Sequence, residues 1–135
     1  MIQQITLPWP PAKLHGHANG HWREKAKITK KVRDLVSLEA KAQAPAECPS
    51  QVLCHFREIW MPDRRKRDIL NVLAACKPAI DGLADALCIP GDDWTCFQPV
   101  IPETLYIDVD KENPRIVIEI ESVRFGGVLF PGSSD

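Results

Sequence analysis

Between Asn71 and Leu87, Val72, Cys76, Ala79, Ile80, Leu83 and Leu87 recur at helical spacing, and Asn71, Ala74, Asp81 and Asp85 fall on the other side. No other stretch constrains the fold as strongly, because a helix with one apolar stripe must bury it against a second layer. Pro78 removes a backbone donor inside the stretch, which predicts a kink or a late start. Ile89-Pro90-Gly91 ends it.

The partner layer is a sheet. Ile2 to Leu7 is rich in β-formers and runs into Pro8-Trp9-Pro10-Pro11, which cannot continue a central strand. Trp22 to about Ala44 is helical in composition, with Ile28, Val32, Leu35, Val36 and Leu38 as its apolar stripe. Gln51 to Trp60 alternates, with Val52, Cys54 and Phe56 on one face, and the alternation slips near Glu58, as at a bulge. Thr104 to Val109 and Arg115 to Ser122 read as strands, joined through Asp110–Pro114 as a hairpin. The order β-α-β-α-β-β predicts one α/β (α+β) domain over residues 1–122, a small mixed sheet with two helices on one face. Residues 123–135, rich in Gly, Ser and Pro, read as a flexible tail in which Val128, Leu129 and Phe130 are candidates for docking on a partner.

A chain of 135 residues with 44% apolar and 26% charged residues buries a core without staples. No apolar run approaches the ~20 residues that cross a bilayer, and Met1-Ile2-Gln3-Gln4 opens no secretory leader, so a cytoplasmic place is expected. Cys48, Cys54, Cys76, Cys88 and Cys96 form no CxxC pair, which argues against structural zinc. Cys76 and Cys88 fall on apolar positions of the helical stretch and read as core thiols.

The net charge of −1 conceals an asymmetry. Arg23, Lys25, Lys27, Lys30, Lys31 and Arg33 meet one acid, Glu24, and Arg64-Arg65-Lys66-Arg67 is a second basic run. From Asp81 to Glu121 ten acids meet only Lys111 and Arg115. Two basic clusters beside an acidic half suggest a polyanion on one side and a cation near it. Asp63, Asp68, Asp81, Asp92 and Asp93 crowd around the arginine run, and Mg²⁺ would reconcile carboxylates with phosphate there. Caps and turns explain the same acids equally well. Trp22 and Phe97 read as core aromatics before stacking platforms, and His15, His17 and His21 as solvated or phosphate-facing.

Met61-Pro62-Asp63-Arg64-Arg65-Lys66-Arg67-Asp68, then Asn71, Lys77, Asp81-Gly82-Leu83 and Asp92-Asp93 resemble the RusA family of Holliday junction resolvases. Ile5-Thr6-Leu7-Pro8-Trp9-Pro10-Pro11 and His21-Trp22-Arg23 match its phage-borne members, and the resemblance runs from residue 2 to about 121. It implies a homodimeric, Mg²⁺-dependent endonuclease that nicks four-way DNA junctions symmetrically in recombination and repair. It makes Asp68, Asp93 and Lys77 the expected catalytic residues, and Asp68, Asp93 and Asp81 the expected metal ligands. Lys27, Lys30, Lys31, Arg64, Arg65, Lys66, Arg67 and Asn71 are the expected DNA contacts, reading branched shape more than bases.

One position departs. The family pattern is Arg-Asp-x-Asp-Asn, and here Arg67-Asp68-Ile69-Leu70-Asn71 puts leucine where the second acid stands. In an extended segment residues 68 and 70 point the same way, so leucine removes an oxygen ligand from the metal. Three outcomes stay open: Asp81 or Asp92 compensates, another local register brings in a different acid, or only junction binding is kept. A nucleic-acid-binding domain without junction preference is the weaker alternative.

Overall fold

In chain order the protein forms β1 (Ile2–Pro8), α1 (Trp22–Lys41), β2 (Val52–Met61), α2 (Ile69–Ala75), α3 (Lys77–Ala86), β3 (Phe97–Val100), β4 (Tyr106–Val109) and β5 (Arg115–Ser122), with one 3-10 turn at Ala12–Leu14. The structure, a computed structural model, describes residues 2–14, 22–43, 50–89 and 93–123. His15, His17, His21, Cys48, Asp92 and the tail from 124 onward lie outside them.

β2 is the centre of the molecule. Its odd alternation buries Val52, Cys54 and Phe56, then changes phase at Arg57 so that Ile59 and Met61 face inward as well. The ladder to β5 shifts register between Phe56 and Glu58, so the bulge expected from the sequence is there. β5 runs antiparallel to β2 on one edge and pairs with β1 on its other side, giving the order β1-β5-β2-β3. On its second edge β2 pairs in parallel with β3 along its first half and with β4 along its second.

That arrangement overturns the hairpin expected between the last two strands. β4 and β5 lie on opposite sides of β2, and the Asp110–Pro114 connection crosses the end of β2, where Asp110 N donates to Met61 O at 2.8 Å. The turn chemistry is compatible with a hairpin, but the most buried strand needs partners on both edges, and β4 and β5 supply one each. β3 has no counterpart in the sequence reading, since Phe97-Gln98-Pro99-Val100 carries a proline. Pro99 is tolerated because β3 is an outer strand.

The single helix expected from Asn71 to Leu87 is two helices, so the described residues form three α-helices rather than two. The chain breaks at Cys76, which caps both, and Pro78 stands in the first turn of α3. The break at the proline was legible; the earlier start at Ile69 was not. α3 buries Ala79, Ile80, Leu83 and Ala86 against the sheet and α1. It meets α1 at Gly82, where a Cβ would stand 2.3 Å from the Arg33 carbonyl oxygen. No side chain fits there. On α1 the buried residues are Val36 and Ala40, with Val32 packed partly against the core. Leu35 and Leu38, expected in the buried stripe, are exposed, Leu38 by 70%; it stands about 200° round the helix from Val36. Trp22, expected in the core, is also exposed, beside the Arg23 guanidinium. Phe97 is core, as expected.

Candidate functional site

The site grows from the C-terminal end of β2. Asp63 Oδ1 accepts the Arg65 backbone N–H at 2.9 Å, a turn that aspartate makes two residues ahead of itself. The same oxygen accepts from Arg67 Nη1 at 2.8 Å, and the Arg67 guanidinium lies 5.4 Å from the centre of the Trp9 ring. Arg67 first, and then the Arg65 amide, hold the Asp63 carboxyl down at about 2. Arg67 is therefore a strut: its side chain is largely buried and engaged by Asp63. Arg64 and Lys66 point outward, with no carboxylate in ion-pair range among the described residues. Arg65 is exposed and 3.7 Å from Asp63.

Asp68 follows as the N-cap of α2. Its backbone is extended (φ −74°, ψ 118°) and its Oδ1 accepts the Leu70 N–H at 2.9 Å. The second oxygen has no hydrogen bond among the described residues. The picture of residues 68 and 70 side by side on an extended segment is thereby corrected, since Leu70 already lies in the first turn of a helix. The cap bond nevertheless holds the carboxylate beside residue 70. Leu70 is 71% exposed, and Asn71 behind it is half-buried.

Leu70 and Lys77 line one cavity of about 340 Å³ together with Phe56, Leu73, Ala74, Ile80, Phe97, Pro99 and Ile101. Lys77 is its single charged lining residue, and Lys77 Nζ lies 2.7 Å from Asp81 Oδ1 one helical turn on. Asp81, expected as a metal ligand, is engaged by this chain's own cation. Across the cavity, Asp93 accepts through its backbone oxygen from Phe97 N at 2.9 Å, and its Oδ1 accepts from Thr95 N at 2.9 Å and from the Thr95 hydroxyl. Asp68 and Asp93 are each hydrogen-bonded to the backbone of a residue that lines the cavity, Leu70 and Phe97, without lining it themselves. Among the described residues no three His, Cys, Asp or Glu side chains form a group able to hold a metal ion.

The arginine loop leaves the sheet at the end where β1 also finishes. β1 and β2 run in the same direction because both are antiparallel to β5, so Pro8 and Met61 lie at the same end. The Gln3 side chain donates to the Gln43 carbonyl, which places the chain just past α1 beside the start of β1. Lys27, Lys30 and Lys31 are exposed on the first half of α1, and among the described residues none forms an ion pair. The acidic half, in contrast, is largely spoken for: Asp85 pairs with Arg33 (2.7 Å), Asp110 with Arg115 (2.8 Å), Glu119 with Arg57 (3.4 Å) and Glu121 with His55 (2.9 Å). Opposite charges separated in sequence meet in space, a pairing that composition alone does not reveal.

No family model matches the sequence. An uncharacterized protein of Xylella fastidiosa is 34% identical over 126 residues, which covers 90% of this chain and 78% of that one. A shared identity of this size along nearly the whole chain places this protein in one family with the uncharacterized Xylella fastidiosa protein.

Proposed function

We propose that this protein is a structure-selective endodeoxyribonuclease of the RusA type, acting as a cytoplasmic homodimer on four-way DNA junctions. The observation that carries the reading is the arginine loop: a turn ordered by Asp63 and Arg67 turns Arg64 and Lys66 outward immediately before Asp68, at the sheet end where β1 also finishes. A polyanion reaching that end meets unpaired cations first and carboxylates second. Phosphate contacts from Arg64, Lys66, Lys27, Lys30 and Lys31 would hold the arms, and affinity would fall steeply with salt. Two copies related by a two-fold axis would offer two sites to the two strands cut.

The chemistry of the candidate donors suits Mg²⁺ held partly by substrate, because this ion commonly takes one or two carboxylates and completes its shell with water and phosphate oxygens. Asp68, with an oxygen free of hydrogen bonds among the described residues, and exposed Asp93 would hold it. Bound there, the ion would supply an activated water and neutralise charge on the leaving oxygen. The N-cap bond fixes the Asp68 carboxylate beside the Leu70 backbone, and Asp81 holds the ammonium of cavity-lining Lys77, which would meet a phosphate there.

A second reading, junction binding without cutting, is favoured by one observation: the exposed side chain beside Asp68 on that wall is leucine, which offers no oxygen. Cleavage of a labelled four-way junction with and without Mg²⁺, beside a linear duplex of the same sequence, decides between them. Symmetric Mg²⁺-dependent nicks support the nuclease. Tight junction binding with nicks only after Leu70→Asp supports the binding protein. Equal affinity for junction and duplex overturns both.

A further inference from the structure

The cavity between α2 and β3 has a shape and lining that metal binding does not explain. Every lining side chain except Lys77 is apolar, two of them are phenylalanine, and Leu70, Pro99 and Ile101 are exposed around the opening. Its volume of about 340 Å³ lies within the ordinary range for small-molecule pockets, ~300–1,000 Å³. Nothing in the fold requires the opening. Leu73 and Ile80 close its floor against the core, while the break between β3 and β4 leaves its outer side uncovered at Ile101.

We infer that this cavity receives one unpaired nucleobase of the junction strand held by the arginine loop, an inference that rests on the branched-DNA reading above. A base is flat and apolar on its two faces and polar at its edge. The faces would lie against Leu70 and Ile101 above the floor of Leu73 and Ile80, and the polar edge would stay at the open mouth in water. Lys77 stands on the wall, where the phosphate following the base would pass, and Asp68 adjoins the same wall through its bond to Leu70 N. Phosphates at Arg64 and Lys66 come just before Asp68 in the chain, so a strand running from the loop to the cavity passes the proposed reacting carboxylate. Such stacking tolerates any base and suits a protein that selects branched shape. On this account Leu70 is a wall for the base, and the absent second acid is the cost of that wall.

The test compares three substrates bound by the full chain: a fully paired four-way junction, the same junction with one unpaired 5-iodouracil at its branch point, and a linear duplex. The wild type should bind the junction with the unpaired base about tenfold more tightly than the fully paired one. Irradiation of that complex should crosslink the iodouracil to the 97–101 segment or to Phe56. Ala74→Phe, at an exposed helical position on the cavity wall, should bring the two junction affinities together and abolish the crosslink. Leu70→Asp should also narrow the difference, whatever it does to cleavage. If both junctions bind better than duplex but equally, or the crosslink maps elsewhere, the pocket inference fails and the junction reading stands. If no junction is preferred over duplex, the underlying reading fails. A change of oligomeric state in Ala74→Phe with no effect on base preference would assign the cavity to a second copy and overturn the inference.

Discussion

Cys88 has a φ of 56°, left-handed backbone that a side chain adopts at a cost, and it sits just past α3. Ile89 N donates to Ala84 O at 3.1 Å and Cys88 N to Asp85 O at 3.2 Å, the paired closing bonds that favour glycine at this position. Expected in the core, this thiol is instead exposed, because the helix ends at Ala86, two residues before it. Cys88→Gly should raise stability by about 0.5–1 kcal/mol, the relief of left-handed strain less the chain entropy that glycine adds; the shift of the urea midpoint measures it. Cys54 and Cys76 behave oppositely, since burial pushes both thiols up to about 12. Iodoacetamide at pH 8 should label Cys88 rapidly and leave Cys54 and Cys76 untouched until the protein unfolds. Asp63 offers a titration: its carboxyl is held at about 2 against an ordinary 3.8, so its stabilising charge is present above 3.8 and lost as pH falls through 2. A carboxyl-carbon NMR titration should find that midpoint, and Arg67→Gln should move it back toward 3.8. At this scale much was illegible. Asp63 and Arg67 in the motif look like site residues, and only the Trp9 ring and the Arg65 amide around them show that they build the loop.

Among elements, the tightest constraint is the crossing of α1 and α3 at Gly82. Gly82→Ala gains up to ~1 kcal/mol of helix propensity but forces a Cβ into the Arg33 carbonyl, so the expected net loss is about 2–3 kcal/mol. Equilibrium denaturation checks this, and an unchanged midpoint would mean that the helices separate freely. The Asp81-Gly82-Leu83 motif is thereby divided physically: Asp81 fixes Lys77, Gly82 permits the helix contact and Leu83 fills the core. Elements whose burial pattern is local were readable. β2 announces its bulge because Val52, Cys54 and Phe56 are out of phase with Ile59 and Met61, and α3 announces its start through Pro78. β3 and the placement of β4 were not readable, since each has four residues and is defined by the edge of β2 it joins.

For the whole molecule, charge separated along the chain is rearranged in space. Asp81, Asp85, Asp110 and Glu119 are paired internally with lysine or arginine, while Lys27, Lys30, Lys31, Arg64 and Lys66 are exposed and form no ion pair among the described residues. If these cations form the DNA surface, Arg64→Ala and Lys66→Ala should each weaken binding to all sequences alike and lower the log–log salt slope by about 1. Arg67→Ala should act differently, lowering thermal stability as well as affinity, because it removes the strut on Asp63 and Trp9. Among the described residues no helix is long and apolar enough to cross a membrane. The sheet order has one more consequence, for synthesis. Among the described residues β1 pairs with β5 alone, and β5, far later in the chain, also closes one edge of β2. Ile5 and Leu7 therefore wait, unburied, until residue 122 has emerged, and a nascent chain arrested before Arg115 holds its helices over half a sheet. Pairing the two ends of the domain is long-range, so the sheet closes late in folding rather than piece by piece.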